Sequence, residues 1–208
     1  LGRRDCGKEQ RQTALAYLRR ACGALLEIVD DITDHASLEQ GEVRLRCRTF
    51  DLPACLRACA DLYRPAAEGK GLELALHLAP QLPRQVRGDS FRLRQALGNL
   101  VSNAVKFTEQ GRIEVEAGGE RLASGAFLLR LDVRDSGPGL EPGEEKTVFE
   151  SFRRGSAASG KPGTGLGLNI VRTIARRMGG DVRVRSCPGQ GCTFTLEARL
   201  EMADGGPG

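Results

Sequence analysis

Asn99, Asn103 and Lys106 recur at helical spacing, and their side chains have the chemistry to bind a metal ion and a phosphate. Amide oxygens can complete the coordination shell of a hard metal ion, and an ammonium can pair with phosphate. Asparagine is a mediocre helix former, so two of them four residues apart indicate a use beyond helix formation. The alternative is a solvated outer face that happens to carry two asparagines.

The helix that would position these side chains spans residues 89–108, DSFRLRQALGNLVSNAVKFT, with Asp89 as its N-cap. Its other face is apolar at the i, i+3, i+4 spacing of a stripe that faces a core. That stripe consists of Leu93, Ala96, Leu97, Leu100, Val101, Ala104 and Val105. We expect an amphipathic helix with two faces that do different work.

Two glycine-rich stretches follow further along the chain. Residues 163–168, GTGLGL, open a predicted helix, where the backbone N–H groups of Gly165, Leu166 and Gly167 can form an anion site. Residues 134–139, RDSGPG, follow a predicted strand. Taken alone, Asp135 in this second stretch is better explained as a turn residue that caps its own loop.

In this order, the three stretches resemble the nucleotide-binding fold of sensor histidine kinases, where they are called the N box, the G1 box and the G2 box. Residues 148–152, VFESF, are similar to the F box that lies between the last two. Each glycine motif is weak by itself, but four motifs in the family's order are specific. The resemblance extends from about residue 9 to residue 200.

The resemblance implies that the chain binds ATP with Mg²⁺. It implies that Asp135 accepts a hydrogen bond from the exocyclic amine of adenine, that Gly137 and Gly139 let the backbone pass close to the base, and that Phe107 stacks on it. Asn103 and Asn99 would hold Mg²⁺ through their side-chain oxygens. The expected phosphate-side residues are Lys106, Arg154, Gly163, Thr164, Gly165, Leu166 and Gly167.

The residue at position 99 bears on the type of reaction. In the ATP-hydrolysing relatives, such as gyrase and the related heat-shock chaperone, a Glu four residues before the metal-binding Asn activates water. Here that position is Asn99, and an amide cannot take a proton from water at neutral pH. The site is therefore expected to position a phosphoryl group for transfer rather than to hydrolyse ATP.

A long helix is predicted over residues 8–39, with apolar residues at alternating spacings of three and four: Leu15, Leu18, Cys22, Leu25, Val29, Ile32 and Ala36. It resembles the second helix of the kinase dimerisation and phosphoacceptor domain, which implies a homodimer in the parent protein. The alternative is that this helix packs on its own domain. The first helix, which carries the phosphorylated histidine, is expected upstream in a longer protein.

Neither His35 nor His77 has the surroundings of the family's phosphoacceptor, so the fragment alone is expected not to autophosphorylate. The resemblance implies transfer of the phosphoryl group to a histidine on the missing helix, and then to an aspartate on a response-regulator receiver domain.

The remaining pattern predicts an α/β fold, a two-layer α/β sandwich with a mixed sheet and helices on one face, preceded by the long helix. Strands are predicted at residues 43–50, 72–78, 112–117, 127–134, 181–186 and 192–200, and helices at 52–68 and 166–178. We divide the chain into a remnant of the dimerisation domain (1–41), an ATP-binding catalytic domain (42–200) and a flexible tail (201–208).

Residues 140–162 are rich in Gly, Ser, Glu and Lys. A loop of this length within a compact domain is usually functional. It is predicted to be a mobile cover over the nucleotide, with Phe149 and Phe152 as packing anchors. The alternative is a disordered surface loop.

Composition excludes several classes of protein. The net charge of +4 is spread along 208 residues and does not form the basic patch of a nucleic-acid-binding protein. No apolar run reaches the roughly 18 residues of a membrane helix. Seven cysteines without a CxxC pair are typical of buried thiols in a reducing cytoplasm, although Cys187 and Cys192 flank one turn and could approach each other.

Two other functions remain open at this stage. One is a catalytically silent interaction module that keeps the nucleotide fold as a scaffold and uses helix 8–39 to bind another kinase. The other is a Ser/Thr kinase of the same superfamily. The complete set of glycine motifs argues against the first, and the long bundle-type helix argues against the second.

Overall fold

The computed structural model describes residues 45–151 and 164–203. The predicted helix over 8–39, His35, Phe152, Arg154 and Gly163 lie outside these residues. Within the described part, no helix has the length and apolar character needed to cross a bilayer.

Eleven elements are described in this part of the chain. The strands are β1 (Arg48–Asp51), β2 (Glu73–Leu78), β3 (Gln85–Gly88), β4 (Arg112–Arg121), β5 (Phe127–Asp135), β6 (Val182–Cys187) and β7 (Gly191–Met202). The helices are α1 (Leu52–Glu68), α2 (Ser90–Phe107), α3 (Glu144–Thr147) and α4 (Gly167–Arg177).

The strands form a mixed sheet in the order β1-β3-β7-β5-β4-β2, and β6 pairs with another part of β7. Only β2 and β4 are parallel among the described pairs; the other pairs are antiparallel. The 12-residue β7 therefore pairs with β5 along one side and with β6 and then β3 along the other.

The helices cover one face of this sheet, as predicted. Along β5, buried and more exposed side chains alternate, which is the pattern of a strand with one face in a core. The covered face is built from aliphatic side chains of neighbouring strands, including Ile113, Val115, Leu129, Leu131, Val133 and Leu196. The buried stripe of α2 matches the seven predicted residues and adds Gly98.

Helix α2 lies between α1 and α4 and contacts both. A Cβ on Gly98 would lie 2.7 Å from the Tyr63 hydroxyl, so the missing side chain permits the close approach of α1 and α2. Across the same interface, the Cys55 thiol donates to the Ser90 carbonyl, and one turn further along the Cys59 thiol donates to the Arg94 carbonyl. These contacts fix the helix that carries the amide face.

The structure differs from the sequence prediction at several element boundaries. β3 was not predicted, because Pro80 and Pro83 mark the stretch before Asp89 as a break and the strand is only four residues long. β1 begins at Arg48 rather than at residue 43 among the residues described. β7 continues to Met202 because its end pairs with Val86 and Arg87, so the stretch predicted as a tail begins with strand.

Candidate functional site

The N-terminus of α2 is fixed by one buried carboxylate. Asp89 accepts hydrogen bonds from the N–H groups of Phe91 and Arg92, which satisfies two of the unpaired donors at the helix start. Its second oxygen accepts from the N–H of Arg46 at 2.8 Å. The predicted cap is confirmed, and it also ties the entering chain to the helix.

The C-terminus of α2 is held by a cation that the sequence did not identify. The Lys70 ammonium donates to the carbonyl oxygens of Val105 at 2.6 Å, Lys106 at 3.1 Å and Thr108 at 3.3 Å. A cation at this end is also favoured by the helix dipole. Both ends of the helix that carries the candidate ligands are therefore anchored.

The amide face of α2 meets the second glycine-rich stretch. The Asn99 side-chain N–H donates to the carbonyl of Gly167 at 3.4 Å, which leaves the amide oxygen of Asn99 for another partner. A Cβ on Gly167 would lie 3.8 Å from the same amide. Asn103 is half-buried one turn along the same helix. Asn99 and the start of α4 thus lie together, as the nucleotide-site prediction requires.

The stretch before α4 adopts a turn stabilised by its own threonine. The Leu166 N–H donates to the Thr164 hydroxyl at 3.2 Å, and Gly165 has a φ of +75°. Glycine tolerates this left-handed conformation, which other residues rarely adopt. Leu166 is buried as the N-cap of α4, and its carbonyl accepts the first helical bond, from Ile170. The predicted helix start is thereby confirmed.

Asp135 is the last residue of β5 and is only 8% exposed. Its Oδ1 accepts a hydrogen bond from the N–H of Gly137 at 2.9 Å. Burial raises the pKa of the Asp135 carboxyl, while hydrogen bonds from the backbone N–H groups of Gly137 and Cys192 act in the opposite direction. A buried acceptor of this kind can select a ligand by its donors.

The glycines after Asp135 lie so close to their neighbours that a side chain would clash. A Cβ on Gly137 would lie 2.8 Å from Asp135 Oδ1 and 3.4 Å from the Thr108 hydroxyl oxygen. Gly139 has a φ of +76°, and a Cβ there would lie 2.3 Å from the Cys187 carbonyl. Both positions therefore require glycine for the packing of the loop, and the predicted approach of their backbone to a base stays a prediction.

The β6–β7 hairpin supports this loop, which the sequence did not indicate. The Leu140 N–H donates to the Ser186 hydroxyl at 2.8 Å, and the Gly189 N–H donates to the Pro138 carbonyl at 2.7 Å. Gly191 has a φ of +88° and lies against the Asp135 carbonyl, where no Cβ could fit. The hairpin turn is therefore part of the site's framework.

Phe107 and Lys106 lie at the end of α2, and the Lys106 ammonium lies 5.0 Å from the centre of the Phe107 ring. Both side chains are half-buried. The next residue, Thr108, is buried, and its hydroxyl oxygen has no hydrogen-bond partner in the structure. A buried polar atom without a partner is unusual and indicates that a bound water or a ligand supplies the hydrogen bond.

Phe149 packs as predicted at the edge of the glycine-rich region. Its ring makes an edge-to-face contact with Phe194 at 6.3 Å, the Arg172 guanidinium lies 5.5 Å from its centre, and its carbonyl accepts from the Asn169 side chain. α3 lies within the predicted loop, so part of residues 140–162 is helical. Phe152, the second predicted anchor, lies beyond the residues described.

His77 lies away from these groups. It pairs with Glu116, whereas Asp135 pairs with Ile113, and alternate residues of β4 point to opposite faces of the sheet. His77, Glu116, Arg130 and Asp132 line a cavity of about 270 Å³ on the face that the helices leave uncovered. No group of three or more His, Cys, Asp or Glu side chains among the described residues could hold a metal ion.

The five cysteines of the described ranges are free, as expected, but Cys47 and Cys187 are exposed rather than buried. In the β6–β7 hairpin, Cys192 pairs with Ser186 and Cys187 pairs with Gly191, so the two thiols lie on opposite faces. The Ser186 hydroxyl and the Cys192 sulfur are 3.3 Å apart. This register does not permit a Cys187–Cys192 disulfide.

A family model described as histidine kinase-, DNA gyrase B-, and HSP90-like ATPase matches residues 88–202. The signal transduction histidine-protein kinase BarA of Escherichia coli (strain K12) is 34% identical over 190 residues, which cover 90% of this chain and 21% of that protein. The chain thus spans about a fifth of the length of this relative.

Two solved structures extend the comparison. Full-length ShkA in complex with AMPPNP has a TM-score of 0.79 and 35% identity, covering 93% of this chain and 40% of ShkA. A mycobacterial sensor histidine kinase, MprB, has a TM-score of 0.59 and 28% identity, covering 76% and 99% of the two chains.

Proposed function

Because the chain belongs to the family of histidine kinase-, DNA gyrase B- and HSP90-like ATPases, we propose that it is the ATP-binding catalytic portion of a sensor histidine kinase. One observation carries the proposal most directly: Asp135 is a buried carboxylate at the end of β5, and the backbone of Gly137 lies against it because that residue has no side chain. Asp135 reads the exocyclic amine of adenine, and Phe107 stacks on the base.

The start of α4, next to Asn99, would hold the phosphates. Thr164, Gly165, Leu166 and Gly167 supply the turn and its N–H groups, and Lys106 supplies a positive charge. We also assign Arg154 and Gly163, which lie outside the described residues, to phosphate binding. The anchored ends of α2 support the proposal, because a transferring phosphoryl group must be held in position.

Mg²⁺ is held by the side-chain oxygens of Asn103 and Asn99 together with phosphate and water. The hydrogen bond from Asn99 to Gly167 leaves the Asn99 oxygen free for this role. The described residues offer no cluster of acidic or imidazole ligands, so the ion depends on amides and on the nucleotide itself. When bound, the ion neutralises charge on the phosphates.

The reaction is transfer of the γ-phosphoryl group of ATP to a histidine on a helix of the dimerisation domain, and then to an aspartate of a receiver domain. Asn99 cannot act as a general base, which disfavours hydrolysis. His77 lies on the opposite face of the sheet from Asp135, which supports the proposal that His77 is not a phosphoacceptor. The parent protein is a homodimer that associates through residues 8–39. Its catalytic portion lies in the cytoplasm.

Calorimetric titration with Mg²⁺ and a non-hydrolysable ATP analogue tests the proposal. We expect binding by the unaltered chain and its loss in Asp135→Ala. Asp132→Ala is the matched control, because Asp132 lies on the same strand but its carboxylate bonds Thr195 and Arg130 on the other face. Absence of binding by the unaltered chain would favour the catalytically silent interaction module instead.

A further inference from the structure

The hydroxyl of Thr108 is buried without a partner at the end of α2. Thr108 is 0% exposed, and its Oγ1 is one of two such unpaired side-chain atoms among the residues described. A hydroxyl loses its water on burial and normally regains a hydrogen bond inside the protein. The Thr108 hydroxyl does not regain this hydrogen bond within the protein. Its burial is therefore unfavourable unless a water or a ligand supplies the missing bond.

The groups around the Thr108 hydroxyl indicate what kind of partner it can have. Thr108 Oγ1 and Asp135 Oδ1 lie 3.4 Å and 2.8 Å from the point that a Cβ on Gly137 would occupy. Both oxygens therefore border the same glycine, whose missing side chain lets Asp135 and Thr108 lie close to this loop. The ionised carboxylate only accepts hydrogen bonds, whereas the hydroxyl can also donate one.

This pair of groups matches one kind of base edge. An edge with an amino group beside a ring nitrogen offers a donor to the carboxylate and an acceptor to the hydroxyl. An edge with a carbonyl beside a ring N–H offers the reverse, and would leave Asp135 facing another acceptor. The arrangement therefore discriminates adenine from guanine with two groups rather than one.

Lys70 fixes the backbone that carries this hydroxyl. Its ammonium donates to the Thr108 carbonyl and to the carbonyls of Val105 and Lys106, so the last turn of α2 is bound at three points. The Thr108 N–H also continues the helix by donating to Ala104. The hydroxyl is thus presented from a rigid position, as a specificity group requires.

We propose that Thr108 is a second base-binding residue, which donates its hydroxyl hydrogen to the adenine ring directly or through one bound water. Lys70 is its positioning residue. This inference rests on the proposed function, since it assigns a further contact within the same nucleotide site.

Thr108→Val tests the inference, because valine keeps the branched shape and removes only the hydroxyl. Loss of one such hydrogen bond should weaken binding of the non-hydrolysable ATP analogue about three- to tenfold. Without nucleotide, the midpoint of thermal unfolding should be equal to or higher than that of the unaltered chain, because an unpaired buried hydroxyl is removed. Thr108→Ser keeps the hydroxyl and should bind within about twofold of the unaltered chain.

Unchanged affinity in Thr108→Val would overturn the inference while leaving the proposed function intact. Absence of binding by the unaltered chain would instead count against the proposed function. A second pair of variants decides the matter if Thr108→Val does not fold. Lys70→Met and Arg64→Met each remove a cation that donates to a backbone carbonyl, but Arg64 donates to Leu74 at the sheet edge and to the Asp61 carboxylate. Weaker analogue binding is expected only in Lys70→Met, and equal affinity in the two would overturn the inference.

Discussion

Asp135 combines a charge with burial, and this combination is costly in the absence of a ligand. Burial disfavours the ionised carboxylate and raises the pKa of Asp135, which the N–H groups of Gly137 and Cys192 only partly offset. A side chain that contributed only to folding would serve better without the charge. The unfavourable carboxylate is explained if its purpose is to accept a hydrogen bond from a ligand.

We predict that Asp135→Asn raises the stability of the nucleotide-free chain at neutral pH. A carboxyl with a raised pKa in the folded state binds its proton more tightly there than in the unfolded chain. Its favourable contribution is therefore present below the ordinary value of 3.8 and is lost as the pH rises through the raised folded-state pKa. Urea unfolding at several pH values measures the difference between the two proteins.

The gain should be largest at neutral pH and should disappear in acid, while nucleotide binding is lost at neutral pH. A variant less stable than the unaltered chain at pH 7 would contradict this account of Asp135. Asp132→Asn is the control, because Asp132 is half-buried and already bonded by Arg130 and Thr195.

The sequence identified some of the individual site residues and missed others. Asp135 alone is indistinguishable from a turn residue, and only its place among four ordered motifs identified it. Thr108 gave no signal, because the lack of a partner for its hydroxyl depends on how Gly137 and α2 meet in space. Lys70 was missed for the same reason: its carbonyl partners lie about 35 residues further along the chain.

At the scale of elements, α2 depends on Asp89 more than a typical helix depends on its cap. Asp89 accepts three backbone hydrogen bonds, two within the helix and one from Arg46. Asp51, the cap of α1, accepts one backbone bond, from Ala54. The two aspartates have the same nominal role in different surroundings.

We predict that Asp89→Ala lowers the free energy of unfolding by about 2 kcal/mol, the upper end of the range for a lost cap. The loss should be larger than for Asp51→Ala, which serves as the matched variant. For a domain of this size, it corresponds to a fall in the unfolding midpoint of roughly 4–8 °C. Calorimetry of both variants makes the comparison, and equal midpoints would show that the Arg46 contact and burial add nothing.

Elements with a strong local signal were predicted well, and those that depend on distant partners were not. The apolar period of α2 and the alternation in β5 follow from the sequence alone. β3 has four residues and is defined by its pairing with β1 and with the end of β7. No local pattern distinguishes such a segment from a loop.

At the scale of the whole molecule, the described cysteines fall into two groups. Cys47 and Cys187 are exposed, whereas Cys55, Cys59 and Cys192 are buried. Burial raises the pKa of Cys55, and it raises the pKa of both Cys59 and Cys192 to about 11. Reactivity should follow the thiolate and its accessibility.

We predict that a maleimide labels Cys47 and Cys187 first at pH 7.5. From the raised pKa values, the thiolate fraction of Cys59 and Cys192 is on the order of a hundredfold below that of an ordinary thiol. Peptide mass spectrometry over a time course measures the order. A mild oxidant should produce no Cys187–Cys192 disulfide, and early labelling of Cys192 would contradict the hairpin register.

The overall α/β sandwich was predicted because the layers follow from the alternation of strand and helix patterns. The order of the strands was not, because pairing between distant segments leaves no mark in any one of them. The last strand, β7, lies in the interior of the sheet and pairs with β3, β5 and β6.

This place of β7 has a consequence for the protein during its synthesis. A ribosome delivers the chain from its N-terminus, and this interior strand is the last of the described strands to emerge. Until β7 has emerged, β5 lacks one of its paired strands, and Asp135 at the end of β5 lacks its contact with Gly191. The apolar side chains of the other strands therefore stay exposed until β7 has been synthesised. We expect nucleotide binding only after synthesis has passed Met202.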